Sequence, residues 1–532
     1  MLRFQALISE HTEEHGKTLP DAAGEVGRGC QVEGYPDSNF VGRSCFEKRP
    51  GGPIDRVLAP HLYYSGTAAL GVASHASCPG TAGLRQRVSP GVDRARRLEA
   101  SSTDPATTTI TITTRQEVES MLNQTRTIPR VRTLCTAVCL ALGLGVTTSA
   151  SAEDPVRIGA IYIMSGSPSV YGQFAQQGMQ LAVDEINEEG GILGHEVEFV
   201  LEDSQIKADA AIQAARKLVY SEQVHGLMGL DSSGVATGVV PVVPELQRPF
   251  IITHAATPDV TGKLCNRYTY RLSVNISQNT KAAAEIAEQS GAKRWTTIGP
   301  DYAFGHQSWE FFGNYLKELD PEVELMERTA FPRFGNEDFT PFINNVMDAK
   351  PDGVLVSLWG GDLVNFIRQA NNLGFFDRDF EVLMTLGGAT EVMSALGNDV
   401  PEGIWVGTRY WFAAHDNDVN NAFVTAYMER YGKPPSYNAE GAYAGIYAYK
   451  AAIEKAGSTD PEAITDALSG LTFPAPTGSL TFREGDHQAV VGPTWGQTAA
   501  LSEEYGVRML DPMKTFDGDL VTPDVSETGC SL

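Results

Sequence analysis

The stretch VRIGAIYIMSGSPSVYGQFAQQGMQLAVDEINEEGGILG, residues 156–194, decides the fold class. It begins with Val156–Ile163, a short apolar run that is typical of a buried strand. A loop rich in glycine and serine follows, and Phe174–Glu189 then has the apolar spacing of an amphipathic helix that ends at Gly190. A buried strand followed by such a helix is the first half of a βαβ unit, which builds a parallel sheet.

Strands and helices alternate in the same way over most of the remaining chain, which predicts an α/β protein with helices on both faces of its parallel sheets. The alternating part is too long for one core, so we expect two doubly wound Rossmann-like lobes, with a change of lobe near 274–278 and an aromatic-rich crossing at 407–412. The predicted strands are 196–201, 224–230, 249–253, 295–299, 323–330, 353–358 and 380–385, and the predicted helices are 207–221, 235–246, 280–290, 306–319, 339–349, 363–373, 420–431 and 439–456.

A leader is predicted at 121–152. After Met121, three arginines precede the apolar run Leu134–Val146, which is too short to span a membrane, and Ala150-Ser151-Ala152 forms an A-x-A cleavage site. These features are typical of a secretory signal peptide. Because a signal peptide stands at the N-terminus, the simplest interpretation is that translation begins at Met121 and that residues 1–120 are a non-native, disordered extension. A genuine cytosolic extension is the alternative.

The charge distribution also separates these regions. The 532-residue chain has a formal net charge of -25, of which residues 153–532 carry -27 and residues 1–152 carry +2. A strongly anionic protein repels phosphate groups, so we expect no binding to nucleic acid and no docking on anionic lipid. No apolar run in 153–532 has the length of a transmembrane helix, so we expect no membrane insertion.

Sequence motifs for catalysis are absent from residues 153–532. This part of the sequence has no G-x-G-x-x-G, Walker A, H-E-x-x-H or G-x-S-x-G motif, and its histidines are scattered singly. The segment His11–His15 matches the zinc signature H-x-x-E-H, but a zinc site would need a folded helix and a further ligand. We therefore expect a protein that is not an enzyme and that holds no metal or cofactor.

Loops rich in hydroxyl groups follow three predicted strands, at the sheet edge where open α/β sheets bind ligands. They are 165–172, 231–234 and 253–258. Backbone N–H groups and Ser or Thr hydroxyls in such loops suit a carboxylate. The alternative for each loop is ordinary helix capping, because Ser and Thr favour that position as well. Together the three loops predict a carboxylate cradle on the first lobe.

Aromatic residues and glycines occupy the equivalent loops of the second lobe. These loops are 301–305, 359–362 and 386–388. Aromatic rings beside glycines suit the apolar part of a small ligand. Packing between the two lobes is the alternative explanation for these rings.

Several of these segments together resemble leucine/isoleucine/valine-type periplasmic binding proteins of ABC transporters, over nearly all of 153–532. The resemblance implies a type I periplasmic binding fold, in which two lobes joined by a three-crossover hinge close on a ligand like a Venus flytrap. The segments are MSGSPSVYG (164–172), GILG (191–194), SGVATGVVPVVP (233–244), RPFIITHAATP (248–258) and DYAFGH (301–306). The implied division is lobe I at 153–275 and 409–488, lobe II at 276–408 and 489–510, and a C-terminal tail at 511–532 that returns to lobe I.

The resemblance also implies ligand-binding residues. Ser233, Ala255 and Thr257 match the positions with which the family grips the carboxylate of its ligand, and Ala256 lies between the last two. Further implied contacts are an aromatic residue of lobe I and four residues of the lobe II loops: Tyr171, Tyr302, Phe304, Trp359 and Asp362.

The sequence departs from the family at Gly387, where the branched-chain amino acid receptors carry a carboxylate for the ammonium group of the ligand. A buried ammonium without a carboxylate is costly. An α-amino acid is therefore expected only if Asp362, Asp301 or Glu440 substitutes. A small organic or aromatic acid without the amine is a comparable expectation.

The function implied by the resemblance is that of a periplasmic, monomeric solute receptor. It would capture an amino acid or a small organic or aromatic acid between its lobes and deliver it to the permease of an ABC importer. The alternatives are a ligand sensor of the same fold and an enzyme on the same scaffold.

Residues 153–532 contain the cysteines Cys265 and Cys530. An exported chain meets an oxidising compartment, where an isolated pair of cysteines usually forms a disulfide. The predicted disulfide would attach the polar tail at 522–532 to lobe I, whereas two free thiols are the alternative.

Overall fold

The computed structural model describes residues 27–34, 40–48, 56–64 and 154–532. The first three segments are strands β1 (Gly27–Gly34), β2 (Phe40–Lys48) and β3 (Arg56–Tyr64), which form an antiparallel sheet. These three strands differ from the disorder predicted for 1–120. Aromatic and β-branched residues favour strands in these segments, although the segments have no regular apolar period. The predicted signal peptide at 121–152 and the zinc-like motif at 11–15 lie outside the described residues.

Lobe I is built on a five-stranded parallel sheet in the order β5-β4-β6-β7-β8. Strand β4, which lies between β5 and β6, is buried at nearly every residue because helices cover both faces, which explains the continuous apolar run in the sequence. The elements are β4 Val156–Tyr162, α1 Ser169–Glu188, β5 Val197–Asp203, α2 Ala208–Tyr220, β6 Gly226–Gly229, α3 Ser233–Val239, α4 Val243–Leu246, β7 Phe250–Ile252 and β8 Thr269–Arg271.

Lobe II is built on a seven-stranded sheet in the order β10-β9-β11-β12-β13-β16-β17. The first five strands are parallel, and the last two form an antiparallel edge. The elements are α5 Ile276–Ser290, β9 Arg294–Ile298, α6 Ala303–Leu319, β10 Glu324–Leu325, α7 Thr340–Ala349, β11 Gly353–Val356, α8 Gly360–Asn372, β12 Glu381–Met384, α9 Thr390–Leu396, β13 Trp405–Thr408, and, after a return to lobe I, β16 Thr494–Leu501 and β17 Arg508–Thr515.

The chain returns to lobe I between β13 and β16. Helix α11 of this segment packs along α1, and Gly178 permits the close approach, because a Cβ there would lie 2.1 Å from the carbonyl oxygen of Ala439. The elements are α10 Asp418–Tyr431, α11 Tyr437–Ala456, α12 Pro461–Leu468 and the hairpin strands β14 Thr472–Ala475 and β15 Gly478–Thr481. None of the helices that the structure describes is long and apolar enough to cross a membrane.

Several element boundaries differ from the sequence predictions. The helix predicted at 235–246 is broken by a 3-10 turn at Val240–Val242, since Pro241 lacks the N–H that a continuous helix needs. The strand predicted at 323–330 is regular only over β10, although the N–H of Ala330 still bonds to the chain of β9. The predicted tail from 511 begins later, because β17 extends lobe II to Thr515 by pairing with β16.

A buried guanidinium organises the hinge between the lobes. Arg271 is fully buried, and it donates hydrogen bonds to the Gln488 side chain and the Thr261 hydroxyl, each at 2.6 Å, and to the carbonyl oxygen of Thr257. Burial lowers the pKa of Arg271 to about 9. Because Gln488 lies on the third crossing and Arg271 at the first, this network ties two of the hinge segments together.

The C-terminal tail is attached to lobe I by a disulfide between Cys265 and Cys530, the predicted pairing. Two short helices, α13 (Gly518–Val521) and α14 (Val525–Thr528), precede Cys530, although the sequence predicted no regular structure there. The tail also packs closely at Gly262, where a Cβ would lie 2.5 Å from the carbonyl oxygen of Thr528. The tail is therefore held both covalently and by packing.

Replacing Cys530 by serine is expected to lower the free energy of unfolding by about 2–4 kcal/mol. The disulfide closes a loop with a sequence separation of 265 residues, so its loss returns considerable freedom to the unfolded chain. Urea unfolding of the oxidised protein and of the variant measures the difference. The reduced wild type is the control and should match the variant; equal stability of all three forms would contradict the prediction.

Candidate ligand-binding cleft

A cleft lies between the two lobes, at the carboxyl ends of both parallel sheets. Its volume is about 280 Å³ when all space not filled by protein atoms is counted, and the centre of a water molecule can occupy about 10 Å³ of this. The cleft is therefore nearly filled by side chains in this closed conformation. It is lined by Tyr171, Asp231, Ser233 and His254 from lobe I, by Tyr302, Phe304, Trp359 and Leu386 from lobe II, by Arg409 from the second crossing, and by Tyr437 and Asn438 from the returning segment.

Aromatic rings form most of the cleft wall, and they meet across the two lobes. The ring of Tyr171 packs edge-on against Trp359 with centroids 5.3 Å apart, and against Tyr437 at 6.0 Å. The Tyr171 hydroxyl accepts a hydrogen bond of 2.9 Å from the N–H of Gly360 at the start of α8. This contact joins lobe I to lobe II, so the wall is complete only when the lobes are closed.

Arg409 places a positive charge in the cleft. Arg409 is only 8% exposed. Its guanidinium donates a hydrogen bond to the carbonyl oxygen of His254, and its Cζ lies 5.0 Å from the ring centre of Tyr437. Within the part of the chain that the structure describes, Arg409 makes no ion pair with a carboxylate. A buried cation without a counter-ion favours an anionic group nearby, because the low dielectric of the cleft strengthens their attraction.

Asp231 is the carboxylate of the cleft wall, and both of its oxygens are engaged. One accepts a hydrogen bond of 2.8 Å from the N–H of Ile163, and the other lies 3.1 Å from Nδ1 of His254. The second ring nitrogen of His254 lies 2.9 Å from the carbonyl oxygen of Asn438. Asp231 and His254 therefore connect β4, β7 and α11 at the base of the cleft.

A second carboxylate lies beside the cleft at the interface of the lobes. Glu391 of α9 accepts a hydrogen bond of 2.8 Å from the side-chain amide of Asn438, which belongs to α11 of lobe I. Burial raises the pKa of Glu391 to about 7. This hydrogen bond is a further contact that depends on closure.

Half of the ligand-binding residues expected from the sequence meet in the cleft. Because the carboxyl ends of parallel strands share one sheet edge, loops distant in sequence converge there. The five residues that converge are Tyr171, Ser233, Tyr302, Phe304 and Trp359.

The structure places the other expected residues outside the cleft wall. Ala255 and Ala256 are buried, and Thr257 caps a 3-10 helix, where its hydroxyl accepts a hydrogen bond of 3.3 Å from the N–H of Asp259. The N–H of Thr257 is also engaged, because it donates to the Ser233 hydroxyl at 3.1 Å. Helix capping, the alternative considered for these loops, therefore describes Thr257.

Asp362 and Gly387 lie outside the cleft lining for different reasons. Asp362 is buried and accepts a hydrogen bond of 2.9 Å from the N–H of Gly335, and its burial raises its pKa to about 6. Gly387 packs against β13, where a Cβ would lie 2.6 Å from the side chain of Val406. Its role is close packing behind the cleft.

Six residues of the cleft wall were missed by sequence reasoning. Asp231, His254 and Leu386 lie within the loops already singled out. A local signal for Arg409 was also present, because it is a cation within the apolar, aromatic segment GTRYWF (407–412). Tyr437 and Asn438 begin α11, and no local pattern marks them as part of the cleft. Among the described residues there is no cluster of three or more potential ligands that could hold a metal ion.

Comparisons with known proteins agree with this architecture. Residues 155–498 match the family described as periplasmic binding protein. The chain is 25% identical over 361 residues to the leucine-, isoleucine-, valine-, threonine- and alanine-binding protein of Pseudomonas aeruginosa, an alignment that covers 67% of this chain and 92% of that relative.

Two solved structures extend the likeness. The amino acid ABC transporter substrate-binding protein of Pseudomonas fluorescens Pf-5 is 27% identical, with a TM-score of 0.63 and coverage of 72% of this chain and 100% of that one. The solute-binding protein of an ABC transporter from Rhodopseudomonas palustris BisB5, solved with 3,4-dihydroxybenzoic acid, is 24% identical, with a TM-score of 0.62 and coverage of 71% and 100%. The likeness to this last protein shows a shared fold.

Proposed function

Because the chain belongs to the periplasmic binding protein family, we propose that it is the solute receptor of an ABC importer and that its ligand is an aromatic carboxylic acid without an α-amino group. The name of the Pseudomonas aeruginosa relative states that it binds amino acids, and the protein of Pseudomonas fluorescens is described as an amino acid transporter component. Features of this chain's own cleft favour the acid that lacks the amine.

Arg409 is the observation that carries this proposal. It is a buried cation at the hinge, it lines the cleft, and it contacts the carbonyl oxygen of His254 and the Tyr437 ring. A guanidinium presents a planar set of donors that matches a carboxylate, so an acid ligand would satisfy both its charge and its hydrogen bonds. Ser233, at the start of α3 in lobe I, lines the same cleft, and its hydroxyl can add a further hydrogen bond to the carboxylate.

The ring of the ligand is inferred from the walls. Tyr171, Tyr302, Phe304, Trp359 and Tyr437 supply five aromatic side chains around one small cleft. Offset and edge-on contacts between aromatic rings are favourable beyond the area they bury. An aromatic acid therefore fits this lining better than a short aliphatic acid.

An α-ammonium group would find no uncommitted carboxylate among the residues that line this cleft. Asp231 already accepts two hydrogen bonds, so an ammonium group would have to share it, and position 387 carries no side chain. Glu391 lies beside the cleft and outside its lining, and its burial disfavours the charged form that an ammonium group needs. Of the substitutes considered, Asp362 lies outside the wall, Asp301 is exposed and pairs with His306, and Glu440 lines a neighbouring hinge cavity. Burying an ammonium group without a partner is unfavourable, which supports an acid over an amino acid.

We further propose that the receptor acts as a monomer in the periplasm and releases its ligand to the permease. Family membership and the signal peptide predicted at 121–152 support this location. The contacts of Tyr171 and Asn438 across the lobes support a cycle of closure around the ligand and opening at the transporter.

Pairs of ligands that differ only in the amine test the proposal. We expect 3-phenylpropanoate to bind roughly tenfold or more tightly than phenylalanine, because the latter must bury an unpaired ammonium group. Isothermal titration calorimetry on residues 153–532 gives both affinities, and a thermal-shift scan should show a stabilisation of about 2.7 kcal/mol at a hundredfold excess over Kd. The pair 4-methylpentanoate and leucine is the aliphatic control. Tighter binding of both amino acids than of their deaminated partners would overturn the proposed ligand class.

A further inference from the structure

A second chamber, here called the outer chamber, lies beside the cleft. It is open to solvent, and its volume of about 690 Å³ includes part of that open space. It is formed by both lobes: Ile206, Ala208 and Val235 from lobe I face Tyr302, Phe334 and Trp359 from lobe II. Unlike the nearly filled cleft, this chamber has room for a sizeable chemical group.

Two residues separate the outer chamber from the cleft. Tyr302 and Trp359 line both spaces, and the indole N–H of Trp359 donates a hydrogen bond of 2.8 Å to the Tyr302 hydroxyl. The outer chamber is therefore adjacent to the proposed ligand site, and the hydrogen bond between these two side chains must open before one ligand can occupy both spaces. Side chains of this kind can change rotamer without moving the sheets that carry them.

The lining of the outer chamber indicates what kind of group it would hold. On its outer side, Phe334 stacks on Trp359 with ring centroids 4.7 Å apart and an angle of 22° between the planes. Phe334 also meets the Tyr302 ring edge-on at 6.1 Å. Such a wall contacts apolar or aromatic groups well.

The charge at the outer chamber excludes a second anionic group. Asp301 is the charged residue among those described that line it, and its carboxylate lies 2.9 Å from Nε2 of His306. Arg409 is the arginine that lines the cleft, and it does not line the outer chamber. A ligand with one carboxylate at Arg409 and an apolar far end matches this distribution of charge.

We propose that the ligand is an elongated monocarboxylic acid, whose carboxylate lies at Arg409 and whose apolar or aryl tail passes between Tyr302 and Trp359 into the outer chamber. This inference rests on the proposed function and specifies its substrate class. The observation behind it is that the two spaces lie on opposite sides of one wall, which only Tyr302 and Trp359 form among the residues described. Tyr302, Trp359 and Phe334 are then the residues that select for the length of the ligand.

A series of acids with one carboxylate and a lengthening tail tests the inference. We expect affinity, measured by isothermal titration calorimetry, to rise from benzoate to 3-phenylpropanoate and again to 5-phenylpentanoate. The variant Phe334→Ala should weaken 5-phenylpentanoate by about tenfold, because it removes an aromatic wall, and should change benzoate by less than about twofold. The matched control is Phe331→Ala, which removes a ring that packs on His306 and lines neither space.

The outcomes separate this inference from the proposed function. Binding of benzoate together with weaker binding of the longer acids would overturn the elongated ligand and leave the proposed function standing. An equal loss for short and long acids in Phe334→Ala would also overturn it, because Phe334 would then act on the whole site. If no acid of the series binds, the proposed function fails and the inference fails with it.

Discussion

Replacing Arg409 by glutamine is expected to weaken the binding of an aromatic acid by at least about thirtyfold, the loss typical when one partner of a buried charge pair is removed. Glutamine can still donate a hydrogen bond to the carbonyl oxygen of His254, so the hinge contact is largely kept. The positive charge that faces the cleft is lost. Titration calorimetry with 3-phenylpropanoate measures the change in Kd.

Two comparisons make this result specific. Arg409→Lys retains the charge without the planar set of donors, so we expect an intermediate affinity. Arg430→Gln removes a half-exposed arginine that pairs with Asp184 far from the cleft, and it should bind like the wild type. Urea unfolding of all three variants shows whether the fold is kept. Binding by Arg409→Gln within about threefold of the wild type, with the fold intact, would contradict the role of Arg409 as the anion partner and place the carboxylate elsewhere.

The second large effect concerns the dependence of stability on pH, and it arises from Glu440. This residue lies on α11 and lines a cavity at the hinge, where its carboxylate is 3.5 Å from the Thr477 hydroxyl. Burial raises the pKa of Glu440 to about 8, and the Thr477 contact opposes this only weakly. Arg409 and Tyr437 are the other titratable groups that line the same cavity. The folded protein therefore holds a proton on Glu440 at neutral pH.

The sign of the effect follows from proton counting. Between the ordinary glutamate pKa near 4.3 and the folded value of about 8, the folded state binds a proton that the unfolded state has released. The free energy of unfolding contributed by Glu440 is thus highest below about pH 4.3 and falls as pH rises, by up to ~1.4 kcal/mol per unit, until about pH 8. Glu391, with its pKa raised to about 7, adds a smaller fall in the same direction.

Glu440→Gln should remove most of this dependence. We expect the variant to be more stable than the wild type by about 2–4 kcal/mol at pH 8.5 and about equal to it at pH 4.5, because an amide carries no charge that folding must bury. Urea unfolding at several pH values measures both curves. The control Glu310→Gln, at an exposed position of α6, should leave the wild-type curve unchanged. Parallel curves for wild type and Glu440→Gln would show that Glu440 does not cause the fall.

The fold class followed from local sequence alone. The run Val156–Ile163 and the helix after it specify one βαβ unit, and repetition of that pattern predicts two parallel sheets. The five predicted residues that meet in the cleft, with Tyr171 and Trp359 among them, were found because strand ends share an edge in this architecture. The pairing of Cys265 with Cys530 could be predicted because they are the two cysteines of residues 153–532, the part of the chain for which the sequence predicts export.

Other features were decided only by tertiary structure. Arg409 meets the carbonyl oxygen of His254 across 155 residues, and His254 meets Asn438 across 184. An apolar period of 2 or 3.6 residues shows only which face of one strand or helix is buried. It carries no information about which distant residue packs against that face. The same limit explains why the sequence did not show that Thr257 caps a short 3-10 helix, because a hydroxyl at a strand end suits both capping and ligand binding until the neighbouring N–H groups are in place. The local pattern of the sequence thus determined the lobes and the sheet edges at which the cleft lies, whereas the packing of the lobes decided which side chains line that cleft.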